Sequence, residues 1–142
     1  MRTALKQAFK LLFLFTAGGV AYLCVELLFR GYTHWTMFIV GGFCFVLIGA
    51  INEFMSFTMA LTSQMLISAV IITAVEYITG SVVNVWLGWD VWDYANMPYN
   101  LHGQICLLYF CLWFGLSLAA ILLDDILRYR LFGEERPHYK IL

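Results

Sequence analysis

Charged side chains are confined to a few positions in this 142-residue chain, and the long segments between those positions are apolar. No Asp, Glu, Lys or Arg occurs in residues 31–52, 54–75, 77–89 or 94–123, and residues 11–29 contain only Glu26. A helix needs about 20 apolar residues to cross the roughly 30 Å of hydrocarbon in a bilayer. The pattern therefore predicts an all-α integral membrane four-helix bundle. Its predicted spans are about residues 9–29, 35–53, 64–88 and 104–125.

The composition indicates that a lipid bilayer is the solvent of this chain. Hydrophobic residues make up 63% of the sequence and charged residues 12%, with a mean hydropathy of +0.83. Soluble domains are roughly half apolar and about a quarter charged. The length predicts a single membrane domain over residues 1–142, ending in a tail over 126–142. The net charge of −1 gives no reason to expect nucleic acid as a partner.

Basic residues near the predicted spans indicate the orientation. The loop between the first two spans has only Arg30, and the other two loops contain no Lys or Arg. Lys and Arg favour the cytoplasmic side of a membrane. We therefore predict that both termini are cytoplasmic. The basic residues that flank the first and last spans are Arg2, Lys6, Lys10, Arg128, Arg130, Arg136 and Lys140.

Several common chemistries have no motif in this sequence. The four cysteines all fall inside predicted spans without a CxxC pair, which argues against both a disulfide framework and a zinc site. No GxxxxGK[ST] phosphate loop occurs, so ATP hydrolysis by that route would need a separate ATPase subunit. We expect no metal and no cofactor, and we assign no catalytic residue.

Glu76 is the main anomaly of the predicted spans. It lies about twelve residues from either end of the third span, near the bilayer midplane, where a carboxylate costs at least ~2.5 kcal/mol on insertion scales. Glu76 must therefore be neutral, paired or facing a wet cavity. Thr73, Gly80 and Asn84 follow at helical steps of three or four and share its face. Because an intramembrane ionisable residue indicates function, Glu76 and Asn84 are candidate binding residues.

The first span carries a second polar face. Tyr22, Glu26 and Arg30 recur at steps of four, so Glu26 and Arg30 can pair along the helix. This pair is either part of a binding site or a structural ion pair. Span four has a comparable face formed by Tyr109, Trp113 and Ser117.

Two polar connections face outward in this topology, "LFRGYTHWTMF" at 28–38 and "WDVWDYANMPYNLHGQ" at 89–104. Short loops on a four-helix bundle meet near its axis, so we expect their polar side chains to converge above Glu26. His34 is alternatively a surface histidine, Asp93 a turn cap or a partner of Arg30, and the aromatic residues an interfacial belt. The predicted binding residues from these connections are Arg30, His34, Asp93, Asn100 and Gln104. The predicted rim is Tyr22, Trp35, Trp92 and Tyr94.

Four ordered motifs resemble the family described as Putative ABC-transporter type IV, which comprises small bacterial membrane proteins. They are Glu-x3-Arg-Gly-x-Thr-His-Trp from Glu26, Glu-x3-Gly-x3-Asn from Glu76, Trp-Asp-Tyr from Trp92, and Gly-Gln-Ile-Cys from Gly103. The resemblance runs from about residue 18 to residue 125. It implies a membrane bundle in the plasma (inner) membrane of a bacterium and a permease, with no substrate attached. The sequence departs from the expected pattern at Ala95 and at Glu53.

These features predict a small permease or channel-like protein that binds a polar or cationic solute at an outer mouth leading to Glu76. One alternative is an intramembrane enzyme acting on a lipid or isoprenoid, with Glu76 or Asp93 as acid or base and His34 as partner. Another is an accessory membrane subunit of a larger complex. In that alternative the small-residue faces would pack against the larger partner. Four helices with one polar face each make only a thin pore or pocket, which a dimer would widen, so we expect a homo-oligomer, most simply a dimer.

Overall fold

The computed structural model describes residues 1–55 and 57–142, and four long α-helices make up most of these residues. Each of the four is long and apolar enough to cross a membrane, the third together with a π-helical turn at its end. The prediction of an all-α integral membrane four-helix bundle is confirmed. The helices are α1 (Arg2–Arg30), α2 (Trp35–Met55), α3 (Leu61–Gly80) and α4 (Leu107–Phe132).

The outside of the bundle is apolar, whereas much of its inside is polar. Large hydrophobic side chains such as Leu28, Phe43 and Ile78 are exposed along the helices. Lipid can cover these side chains at little cost, while a polar side chain in hydrocarbon has to face the bundle interior. The buried polar side chains of the helices and the adjoining π-helical turn include Glu26, Asn52, Gln64, Ser68, Glu76, Asn84, Ser117, Asp124, Asp125 and Arg128.

α1 begins before its predicted span and α4 ends after its predicted span, because charged residues do not by themselves end a helix. α1 begins at Arg2 rather than near residue 9, and α4 continues to Phe132, so the tail predicted from residue 126 is helical at first. Both helices end at a glycine in the left-handed conformation, Gly31 with φ +76° and Gly133 with φ +66°. Each glycine donates its backbone N–H to a carbonyl of the preceding turn, as in common helix caps.

The connection between α3 and α4 contains structure that the sequence did not predict. α3 passes into a π-helical turn, Ser81–Trp86. A two-stranded antiparallel hairpin follows, with β1 (Asn100–Leu101) paired to β2 (Ile105–Cys106). Because β2 occupies residues 105 and 106, α4 begins at Leu107 rather than near residue 104.

The helices pack as two pairs with a weak seam between them. α1 packs mainly against α2, and α3 packs mainly against α4. Few contacts join α1 to α4. Gly18 of α1 lies against the side chain of Phe45 of α2, where a Cβ atom would collide with the ring. The missing side chain at Gly18 thus lets Phe45 pack directly on the α1 backbone, which stabilises the α1–α2 pair.

We expect Gly18→Val to destabilise the bundle by about 1–3 kcal/mol, because overpacking of a close contact forces the neighbouring side chain or backbone to move. The measurement is thermal unfolding of the purified protein in a mild detergent. Gly115→Val is the matched control, since a Cβ at Gly115 meets no atom within 4 Å. Equal melting temperatures for the two variants would contradict this account of the α1–α2 contact.

The bundle has two chemically different ends. At the terminal end, Lys10 of α1 binds Glu53 near the end of α2 and Glu134 after α4, so both chain termini lie at this end. At the loop end, Arg30 of α1 donates to the carbonyl of Val91 in the connection between α3 and α4.

Candidate functional site

Glu76 is buried inside the bundle with both carboxylate oxygens hydrogen-bonded. The hydroxyl of Tyr94 donates to Oε1 at 2.8 Å, and the indole N–H of Trp113 donates to Oε2 at 3.0 Å. The side chain is only 5% exposed. In the part of the chain that the structure describes, no Lys, Arg or His lies within ion-pair distance of it. Glu76 is therefore held by neutral donors alone.

Glu26, in contrast, is paired within its own helix. Arg30 lies one turn further along α1, and its Nη2 is 2.6 Å from Oε2 of Glu26. The Arg30 Nε donates to the same oxygen at 2.8 Å. The guanidinium also lies 4.7 Å from the ring centroid of Tyr32, a cation–π distance. The predicted pairing at a spacing of four is thus present, and it neutralises the Glu26 charge.

A cavity of about 400 Å³ lies between α1 and α4 and brings these groups together. Its wall includes Glu26, Arg30 and Glu76. Pockets of this size hold small molecules in many proteins, usually with a few polar groups among apolar walls. The aromatic residues that line the cavity are Tyr22, Trp92, Tyr94, Tyr109 and Trp113.

Tyr94 joins the loop to the intramembrane carboxylate. Its ring is stacked on Tyr109 of α4, with centroids 4.5 Å apart and an interplanar angle of 15°. Burial raises the pKa of Tyr94 well above its usual range, and the neighbouring Glu76 carboxylate raises it further. The phenol is therefore protonated at neutral pH and remains a hydrogen-bond donor to Glu76.

A smaller cavity of about 150 Å³ adjoins the first one toward the middle of the bundle. Both cavities are lined by Tyr22, Glu76 and Trp113, which therefore form their boundary. The rest of the smaller cavity is almost entirely apolar. Its apolar walls include Val25, Val40, Ile48, Ile72, Leu116 and Leu123.

Asn84 and Gln104 support the site instead of lining the cavity. Oδ1 of Asn84 accepts the backbone N–H of Val91 at 2.7 Å, and its Nδ2 donates to Oε1 of Gln104 at 2.9 Å. The indole of Trp92 donates to the backbone carbonyl of Gln104 at 3.0 Å. The π-helical turn places Asn84 for these bonds, and the bonds fix the loop that carries Trp92 and Tyr94.

The other predicted site residues lie outside both cavities. Nδ1 of His34 accepts the backbone N–H of Thr36 at 3.3 Å and so caps the start of α2. Its ring lies beside those of Trp35 and Trp89. Trp35 is 60% exposed, which suits a membrane-surface position. Of the two residues Arg30 and His34, both expected to converge above Glu26, Arg30 lies at Glu26 and His34 does not.

Asp93 and Asn100 bond within their own loop. Oδ1 of Asp93 accepts the backbone N–H of Ala95 at 2.8 Å. Asn100 donates to the carbonyl of Met97 at 2.8 Å and accepts the N–H of Gly103 at 3.0 Å. These bonds shape the connection between the π-helical turn and α4. The turn-cap alternative for Asp93 matches this geometry.

Sequence reasoning did not assign Trp113 and Tyr109 to the site. Trp113 provides one of the two donors to Glu76, and Tyr109 provides the ring beneath Tyr94. The available signal was the face of span four, where these two residues and Ser117 recur at steps of four. That pattern shows a shared helix face but not which neighbour the face meets.

Sequence reasoning also missed an ionic network at the terminal end. Arg128 binds Asp124 at 2.7 Å and Glu53 at 2.8 Å, and Glu53 in turn accepts Lys10 at 3.1 Å. Lys10 also binds Glu134 at 2.6 Å. Glu53, where the sequence departs from the family pattern, joins the two cations, and Glu134 also lies within ion-pair distance of both. The spacing of Asp124 and Arg128 was the one signal for this network in the sequence.

The chain after α4 folds back over this network. The hydroxyl of Tyr139 donates to Oδ2 of Asp125 at 2.8 Å, and the carbonyl of Lys140 accepts the N–H of Leu61 at 2.6 Å. Burial raises the pKa of Tyr139, and the hydrogen bond to Asp125 raises it further.

In residues 1–55 and 57–142, no group of three His, Cys, Asp or Glu side chains is placed to hold a metal.

A bundle of apolar helices around a polar, aromatic cavity defines a polytopic integral membrane protein. The model of the family described as Putative ABC-transporter type IV matches residues 11–135. This chain belongs to that family, as its motifs predicted. The family and the four apolar helices together support a membrane transport-related protein. Comparisons with curated proteins and with solved structures found no match.

Proposed function

We propose that this protein is a small permease that binds a polar or cationic solute in the cavity between α1 and α4, with Glu76 as the principal binding group. The observation that carries the proposal is the position of Glu76 at the boundary of the two cavities. Its carboxylate has no cationic partner in the described part of the chain. Buried charges in membrane proteins are normally paired and often mark substrate or ion pathways.

The Glu26–Arg30 pair supports a role at the entrance of this cavity. Arg30 lies at the loop end of α1 and reaches both Glu26 and the carbonyl of Val91. A solute that passes from the loop end toward Glu76 would meet this ion pair first. Because Glu26 holds Arg30, the pair adds no net charge to this entrance and would let a cation pass without strong repulsion.

The enzyme alternative receives less support from the geometry. It required His34 to act with Glu76 or Asp93, but His34 caps α2 and Asp93 caps a turn in its own loop. The apolar cavity beside Glu76 would still suit a lipid or isoprenoid chain. We also keep three proposals about partners. They are that the protein is an accessory subunit of a larger complex, that it forms a homo-oligomer, and that it works with a separate ATPase.

Flux through proteoliposomes tests the permease proposal. The solutes are radiolabelled methylammonium, choline and tetraethylammonium, and the proteins are wild type, Glu76→Gln and the tail variant Glu135→Gln. We expect Glu76→Gln to lower uptake roughly tenfold to a hundredfold, because it loses an interaction with a charged group. Glu135 is exposed, so its variant should match wild type. Equal rates for wild type and Glu76→Gln with every solute would contradict the proposal.

We further propose that the terminal end faces the cytoplasm of a bacterial inner membrane, as the basic flanking residues indicate. Tyr99 is 82% exposed at the loop end. A membrane-impermeant maleimide should therefore label Tyr99→Cys in intact cells, above the background of the native cysteines in wild type. Glu135→Cys, in the tail, should react only after lysis. The reverse pattern would invert the proposed orientation.

A further inference from the structure

The charge balance of the larger cavity favours a cationic ligand. Glu26 is neutralised by Arg30, whereas Glu76 has only neutral donors. The buried cations at the other end of the bundle, Lys10 and Arg128, are held there by carboxylates. With Glu76 ionised, the cavity therefore carries one negative charge that no described side chain balances. A cationic ligand would supply the missing partner.

The walls of the cavity favour an organic cation over a metal ion. Calcium or magnesium needs six or more oxygen ligands, and this cavity offers a single unpaired carboxylate among aromatic rings. Aromatic faces attract cations, and cages of such rings bind quaternary ammonium groups. The rings of Tyr22 and Trp113 lie beside Glu76 with centroids 6.0 Å apart, and Tyr94 and Tyr109 complete the wall.

The smaller cavity provides space for an apolar part of the same ligand. It begins at Glu76, Tyr22 and Trp113, which it shares with the larger cavity, and it continues between apolar side chains toward Ile48 and Leu123. A small hydrated cation gains nothing from such a space. An alkyl or aryl substituent gains the free energy of leaving water.

The larger cavity is lined mainly by α1 and α4, two helices that make few contacts with each other. Its wall includes exposed residues of both helices, with Phe29 of α1 at 86% and Leu112 of α4 at 51%. Gly115 also lines this cavity, and a Cβ there would meet no atom within 4 Å. A molecule dissolved in the bilayer can therefore reach Glu76 without passing the Glu26–Arg30 pair.

We propose that the ligand of this site is an amphiphilic organic cation that enters from the bilayer between α1 and α4. Its charged group lies at Glu76 among the aromatic rings, and its apolar part lies in the smaller cavity. This inference rests on the proposed binding role of Glu76, and it specifies the chemical class and the route of the ligand.

Displacement of radiolabelled octyltrimethylammonium from the purified protein tests the ligand class. The unlabelled competitors are octyltrimethylammonium, tetramethylammonium and octyl sulfonate, with the two octyl compounds below their micelle-forming concentrations. Each methylene buried in the smaller cavity should tighten binding up to about fourfold. We therefore expect tetramethylammonium to need a more than tenfold higher concentration and octyl sulfonate not to displace the probe. Glu76→Gln should lose displaceable binding.

Gly115→Leu tests the lateral route without disturbing the helix contacts. The added side chain should obstruct the opening and slow the association of octyltrimethylammonium about tenfold or more, while the association rate of radiolabelled tetramethylammonium stays unchanged. Leu118→Phe is the control, because Leu118 is exposed on α4 and lines neither cavity. Equal slowing of both ligands by Gly115→Leu, or unchanged association of octyltrimethylammonium, would overturn the lateral route.

The outcomes separate this inference from the proposed function. Tetramethylammonium could bind as tightly as the octyl probe and lose its binding in Glu76→Gln. That result would overturn the proposal of an amphiphilic ligand, while the binding role of Glu76 would stand. Displacement by octyl sulfonate at equal concentration would overturn the cationic class. Octyltrimethylammonium binding that is unchanged in Glu76→Gln would overturn both this inference and the proposed role of Glu76.

Discussion

Replacing Arg128 with methionine is expected to lower the free energy of unfolding by about 3–5 kcal/mol, because removal of one partner leaves a buried charge uncompensated. Asp124 is fully buried, and Arg128 is its only ion-pair partner in the part of the chain that the structure describes. Arg128 also binds Glu53, but Glu53 still has Lys10 as a cationic partner when Arg128 is replaced. Most of the lost stability therefore comes from the unpaired charge of Asp124.

The measurement for this prediction is chemical or thermal unfolding in a mild detergent. Arg130→Met is the matched control, since Arg130 is exposed two residues further along α4. The double variant Arg128→Met with Asp124→Asn should recover part of the loss, because no charge is then left without a partner. A single variant as stable as Arg130→Met would show that the ion pair contributes little.

The second large effect is expected for Asn84→Leu. Asn84 accepts the N–H of Val91 and donates to Gln104, and its substitution leaves these buried groups without a partner. Each such group costs about 1–3 kcal/mol. The loop that holds Trp92 and Tyr94 should then shift, so that Tyr94 no longer donates to Glu76. We expect lower stability together with weakened ligand binding.

Asn96→Leu provides the control for this prediction, because Asn96 is exposed in the same loop. Thermal unfolding reports the loss of stability, and binding of a labelled cation reports the displacement of Tyr94. If Asn84→Leu bound the cation as wild type does, Asn84 would not be supporting the site in the way inferred.

The four helices were predictable because charge alone sets apart segments that can lie in hydrocarbon. The helix ends were less predictable, since a helix can continue past Lys10 or Arg128 when those side chains find partners. The start of α4 depended on a short hairpin, and no periodic pattern indicates a pairing of two residues with two others. The distribution of charge along the sequence predicts the spans, whereas contacts between distant residues determine where the helices end.

The candidate site could be predicted only where its contacts are local. Glu26 and Arg30 are four residues apart on one helix, so their pairing follows from helical geometry. The bond between Tyr94 and Glu76 depends on the path of the intervening connection, which Asn84 and Gln104 determine. His34 was expected at the site because it lies beside Arg30 in the sequence, but its ring caps the next helix.

The ionic network at the terminal end could not be predicted for the same reason, since its contacts join residues that are far apart in the sequence. Lys10 binds Glu53 and Glu134, which lie 43 and 124 residues away in the sequence. Each of these charges alone is typical of a solvated helix end. Only the packing of α1, α2 and α4 brings them together, and it does so next to a buried aspartate.

Native mass spectrometry of the gently extracted protein tests most directly whether the cavity around Glu76 is a binding site. Wild type, Glu76→Gln and the tail variant Glu135→Gln are compared under the same conditions, and the intact masses also report the oligomeric state and any partner chain. We predict that wild type and Glu135→Gln retain a bound small molecule or lipid that Glu76→Gln lacks. The same bound mass, or the same bare protein, in all three spectra would contradict the account.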